Sequence, residues 1–138
     1  MNKSIGSIAW PEDPGESRRL LSTYMVEVVE SLGISFGISP YEPLSVVNGL
    51  LSGEVSGDDG RAAIAYWWSC IDQYGIRNFE SKEALIARLA ICLLTPSQQE
   101  TWDLGDQLSW FLEVLGFLGE DVDKSIAIME KHFEFLGG

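Results

Sequence analysis

The stretch LGDQLSWFLEVLGFL, residues 104–118, decides how this chain is read. Leu108, Phe111, Leu112 and Leu115 form one stripe at helical spacing, and Trp110, Val114 and Phe117 form a second. A helix that is apolar nearly all round belongs at the centre of a bundle, so 110–118 is expected among the most buried segments. Gly119 supplies its stop.

Outward from this helix, apolar residues keep a period of three to four. Toward the C-terminus, 121–136 reads as the last helix, carrying Val122, Ile126, Met129, Phe133 and Leu136. On the other side, Thr95-Pro96-Ser97-Gln98 reads as a capping box with proline at the first helical position. One helix would then end and the next begin at nearly the same point. The helix before it starts from a Ser81 cap and carries Leu85, Ile86, Leu89, Ala90, Leu93 and Leu94. Residues 61–74 form a further helix ending at Gly75, with Ile64, Trp67, Trp68 and Ile71 on a broad apolar face.

Toward the N-terminus, 52–60 holds Gly53, Gly57 and Gly60 among Glu54, Asp58 and Asp59, which predicts a flexible acidic loop. Ser39-Pro40-Tyr41-Glu42 is a second capping-box pattern, opening a helix through Leu44, Val47, Leu50 and Leu51. Residues 34–38 read as a connector. The first helix is capped by Asp13 with Pro14 behind it and runs through Leu20, Leu21, Tyr24, Met25, Val28, Val29 and Leu32 to Gly33. The expected fold is therefore all-α: a compact bundle of six to seven short antiparallel helices in a single domain, 1–138, with 1–13 as an extended lead.

Composition bounds the function. The chain has 21 acids against 9 bases in 138 residues, a net charge of -12, yet it is 46% hydrophobic and has five tryptophans. Charge without apolar residues would mean disorder. Here it means a folded domain with a negative surface. Such a surface repels nucleic acid and anionic lipid, and attracts cations and basic proteins. The charge-free stretches are about half a membrane span and are broken by Gly and Pro, so no membrane-spanning helix is expected. The first ten residues lack the apolar run of a signal peptide, and the expected location is cytoplasmic. Cys70 and Cys92 fall in apolar helical patterns and read as buried reduced thiols.

The residues that carry chemistry are few. The one histidine, His132, has no Ser, Cys or His partner nearby and reads as structural. No zinc or di-iron spacing is present, so neither a metal nor a cofactor is expected. Counted as a calcium loop from Asp121, the sixth position is Ile126 and the twelfth His132, where Gly and Glu are required. The glycine-rich 53–60 stretch lacks Lys and carries three acids, unlike a phosphate-cradling loop.

Glu80-x-x-Glu83 followed by Glu100-x-x-Asp103 resembles the acidic pattern of the all-α nucleotide pyrophosphohydrolases. In that family four carboxylates on two helices hold magnesium against a triphosphate. The resemblance covers these four positions. Glu83 and Asp103 fall near the starts of successive helices, which an antiparallel hairpin sets roughly 15 Å apart at 1.5 Å per residue. Catalysis is accordingly not expected, and the pyrophosphohydrolase remains the alternative reading.

The acids are unevenly spread. From Pro96 onward there are Glu100, Asp103, Asp106, Glu113, Glu120, Asp121, Asp123, Glu130 and Glu134 against only Lys124 and Lys131. A partner-binding face is expected from Glu54, Asp58 and Asp59 with Glu100, Asp103, Asp106, Glu120, Asp121 and Asp123, and Trp102 beside Asp103 as its aromatic anchor. In overall character, small, acidic and helical without catalytic residues, the chain resembles immunity proteins of bacterial contact-dependent inhibition and polymorphic toxin systems. The resemblance implies a basic protein partner, a cognate toxin domain such as a nuclease, that is occluded through an acidic face. It carries over no individual residue. Acidic helical regulatory subunits share the same traits.

Overall fold

Asp13 accepts from the Glu16 amide, Pro14 follows at the first helical position, and Gly33 closes the helix in the left-handed region at φ 69°. These local signals define α1, Pro14–Leu32. The computed structural model describes residues 8–37, 39–75, 81–97 and 103–135. Within them the order is β1 (Ile8–Ala9), α1, α2 (Pro43–Ser52), α3 (Gly57–Tyr74), α4 (Lys82–Leu94), a 3₁₀ turn (Thr95–Ser97), α5 (Leu104–Phe117), α6 (Val122–His132) and β2 (Glu134–Phe135). The all-α expectation holds: six α-helices pack on one another, joined by one short strand pair.

Several boundaries differ from the sequence reading, each for a physical reason. α2 begins at Pro43, not Pro40. Glu42, preceding a proline, is forced into extended backbone (φ -62°, ψ 120°), so a helix cannot run through it. Its carboxylate instead caps α2, accepting from the Leu44 and Ser45 amides at 3.1 and 2.9 Å. The 52–60 segment is not all loop. Ser56 caps α3 through the Asp59 amide, and Asp58 and Asp59 occupy its first turn, where negative charge is favourable.

At Thr95 the backbone is helical rather than extended, as the C-cap of α4, and Gln98 of the expected capping box lies outside the described residues. The Thr95 hydroxyl donates back to the Ile91 carbonyl at 2.6 Å, and α5 starts later from an Asp103 cap. The last helix ends at His132. Phe133 turns extended and buries its ring against Trp10 and Tyr24, with centroids 5.1 and 5.2 Å away. Glu134–Phe135 then pairs antiparallel with Ile8–Ala9, in the register Ile8↔Phe135.

The central helix is α4, not α5. Ala84, Leu85 and every residue from Ala87 to Leu94 are buried, and α1, α2, α3 and α5 all pack on it. Ala84, Ala87 and Ala90 keep its flanks narrow enough for that approach. α5 buries Leu108, Phe111, Val114 and Leu115, but Phe117 is 58% exposed. Its second apolar stripe therefore reaches solvent at the C-terminal end.

Side-chain bonds hold the outer helices in place. α6 lies antiparallel to α1: Lys124 Nζ donates to the Ser31 carbonyl and the Tyr24 hydroxyl to the Ser125 carbonyl, both at 3.0 Å. Arg19 donates to the Leu51 carbonyl at 2.9 Å, fastening α2 to α1. The Trp67 indole donates to the Tyr41 carbonyl at 2.8 Å, fastening the entry of α2 to α3. No helix among the described residues is long and apolar enough to cross a membrane.

Candidate functional site

α5 sets the geometry of the acidic residues. Asp106, Ser109, Glu113 and Phe117 recur three or four residues apart and are all exposed, so they form one outward stripe opposite the buried Leu108, Phe111 and Leu115. Asp103 stands at the start, accepting from the Gly105 and Asp106 amides at 2.7 and 3.2 Å. Beyond the far end, Gly119 turns the chain at φ 80°, and Asp121 caps α6 through the Asp123 and Lys124 amides. Both caps use a single carboxylate oxygen for the two backbone amides, and both residues are exposed.

The members of the expected face fall at two ends of the bundle. Leu118 and Glu120 line a cleft with Lys82 and Ile86, so α5 returns antiparallel along α4. Asp103 and Asp106 therefore lie roughly 20 Å, the length of a 14-residue helix, from Glu120, Asp121 and Asp123. α3 also packs along α4 and touches the 3₁₀ turn that ends it, which puts the start of α3, with Asp58 and Asp59, at the Asp103 end. Glu54 is exposed in the turn just before α3. Glu100 and Trp102 lie outside the described residues.

The two groups differ in electrostatics. Asp58 is paired with Arg61, and Gly57 beside it lines a cleft with Arg18 and Arg19, so the α3 end has cations near its acids. Asp103, Asp106, Glu113, Glu120, Asp121 and Asp123 have no ion-pair partner among the described residues. Lys124, the nearest base in sequence, spends its ammonium on the Ser31 carbonyl. The stripe on α5 and the α5–α6 corner is thus an unneutralised acidic surface with an aromatic ring in it. Sequence reasoning left Glu113 out of the face and put Phe117 in the core. The helical spacing was the available signal: Glu113 follows Asp106 by seven residues and Phe117 follows Glu113 by four.

The remaining candidates resolve individually. Glu83 sits in the first turn of α4 and Asp103 beyond its other end, while Glu80 and Glu100 of the same pattern lie outside the described residues. No group of three or more His, Cys, Asp or Glu among the described residues is placed to hold a metal ion. His132 Nε2 lies 3.3 Å from Glu27 on α1, and Lys131 Nζ lies 3.5 Å from the other oxygen of the same carboxylate. The hydrogen bond from His132, with the coulombic pull of His132 and Lys131 beside it, holds the Glu27 carboxyl below its ordinary value, against some desolvation. Cys70 and Cys92 are both free thiols. Cys70 is half-buried, and burial pushes the Cys92 thiol well up. Burial likewise lowers the Arg88 guanidinium and raises the Tyr24 phenol.

No protein-family model, curated protein or solved structure matches this chain.

Proposed function

We propose that the protein is an immunity-type binding protein that occludes a basic toxin domain, such as a nuclease, through the acidic outer side of α5 and the α5–α6 corner. The supporting observation is the run of carboxylates at Asp103, Asp106, Glu113, Glu120, Asp121 and Asp123, none of which forms an ion pair among the described residues, although Lys82 lines the same cleft as Glu120. Like charges without ion pairs repel their near neighbours, and a basic partner relieves that repulsion while they steer its approach. Charge sets the rate of encounter. Residence needs an apolar anchor, and Phe117, 58% exposed within the row, supplies one.

The mechanism this implies is coverage. The acidic row would mimic the polyanion a nuclease cleft is built to accept, and the bulk of α5 and α6 would keep substrate out. The test begins with the neighbouring coding sequence, which on this reading should encode a protein with a basic toxin domain, and uses that domain. Co-expression should restore growth, and stopped-flow association should slow steeply with salt. Asp106→Lys with Glu113→Lys should lower the on-rate about tenfold at low salt, and Phe117→Ala should act on the off-rate. An association rate indifferent to salt, with the substitutions silent, would overturn the reading. So would magnesium-dependent release of pyrophosphate from a nucleoside triphosphate by the purified protein.

A further inference from the structure

A second feature lies where α1, α2 and the start of α3 meet. A cleft of about 260 Å³ opens there. Gly15, Arg18, Arg19 and Ser22 face it, one side of α1 at helical spacing. Gly57, the first residue of α3, faces it from the other side. In a chain of net charge -12, two guanidinium groups on one cleft wall are a local reversal of sign.

Four observations converge on a bound oxyanion. Ser22 is 2% exposed and lines the cleft, and its hydroxyl makes no hydrogen bond among the described residues, so the side chain is held in place while its donor stays open to the cleft. Arg18 has no ion-pair partner among the described residues. Arg19 uses one nitrogen on the Leu51 carbonyl and keeps its other donors. At the start of α3 the Ser56 side chain and carbonyl take the Asp59 and Gly60 amides, leaving those of Gly57 and Asp58 without partners among the described residues. Free amides at a helix start, with the positive end of its dipole, favour an anion.

The glycines fit the same role. Neither Gly15 nor Gly57 has the positive φ that would require glycine, and a Cβ at Gly57 would meet nothing within 4 Å. Glycine there lets a ligand approach the backbone. Of the carboxylates beside the cleft, Asp58 is engaged by Arg61, and Asp13, whose carboxylate would lie 3.3 Å from a Cβ on Gly15, accepts from the Glu16 amide. The α2 wall is apolar, made by Val47, Leu50 and Leu51.

We propose that this cleft binds a phosphomonoester. Its tetrahedral dianion would take the forked donors of Arg18 and Arg19, the Ser22 hydroxyl and the α3 amides, and its organic body would lie on the α2 wall. This ligand site is independent of the toxin-binding reading.

Amide chemical shifts of the full chain, titrated with phenyl phosphate at constant ionic strength, test it. Saturable shifts are expected at Gly57, Asp58 and Ser22. Inorganic phosphate, which lacks the organic body, should bind several-fold more weakly. Arg18→Ala should weaken phenyl phosphate about tenfold, and Gly57→Ala, which fills the cradle but favours the helix, should weaken it too. Lys131→Ala, remote from the cleft on α6, should bind as the parent does. Shifts that never saturate would overturn the proposal. So would equal affinity in both cleft variants, or benzoate binding as tightly as phenyl phosphate.

Discussion

The Tyr24 hydroxyl donates to the Ser125 backbone carbonyl at 3.0 Å, tying the first helix to the last across 101 residues of sequence. Tyr24 is fully buried, with its ring edge-on to Phe111 and tilted against Phe133. Tyr24→Phe keeps those ring contacts and deletes the one bond. A buried neutral hydrogen bond contributes about 1 kcal/mol net, so the variant should lose about that much stability in urea denaturation with an unchanged m-value. A loss of nothing would mean that the α1–α6 contact rests on packing alone.

Glu27 links the same two helices by charge. Its carboxyl is held below its ordinary 4.5, so the folded state binds a proton there less readily than the unfolded chain does. The sign follows: this contribution is fully present above about pH 4.5 and is lost as pH falls through the lower folded value. Glu27→Gln should flatten that part of the acid limb in a pH series of thermal melts. An acid limb identical to that of the parent would show that the pairs with His132 and Lys131 contribute nothing to folding.

Gly49 lies under Val55, and a Cβ there would fall 2.3 Å from Val55 Cγ2. Helix propensity favours Gly49→Ala by up to about 1 kcal/mol. The clash is expected to outweigh it, for a net loss of about 1–3 kcal/mol. Val55→Ala removes the Cγ2 clash but leaves its Cβ 3.1 Å away, so in the double variant Gly49→Ala should cost clearly less than it does alone. A double-mutant cycle by chemical denaturation reads the coupling, and additive effects would refute the steric account.

The two thiols should separate by reactivity. Cys92 is 1% exposed and its thiol is pushed up by burial, whereas Cys70 is half-buried beside a cleft. Mass spectrometry after brief iodoacetamide treatment at pH 8 should find Cys70 modified and Cys92 spared. In denaturant both should react. Modification of Cys92 at the rate of Cys70 in the folded protein would contradict its burial.

Helix identity was readable from sequence where the signal is local. Asp13 and Pro14 start α1, Gly33 ends it, and Ser81 caps α4, because each acts through bonds within three or four residues. The choice between Pro40 and Pro43 was also local, and the backbone restriction that each proline imposes on its predecessor resolves it. Which helix is central was not readable. α4 and α5 are both rich in apolar residues, and only packing from four sides onto the narrow, alanine-lined α4 separates them. β2 was equally hidden, since Phe133 leaves the helical pattern only to reach Trp10, 123 positions away in the chain. Net charge follows from composition alone. Which acids stay unpaired depends on where Arg61, Lys124, Arg18 and Arg19 come to rest, and the anion cleft exists only because three separate helices meet there. Capping and periodicity are decided by neighbours in sequence, and sequence alone determines them. Burial, ion pairing and concave sites are decided by neighbours in space, which the tertiary structure alone supplies.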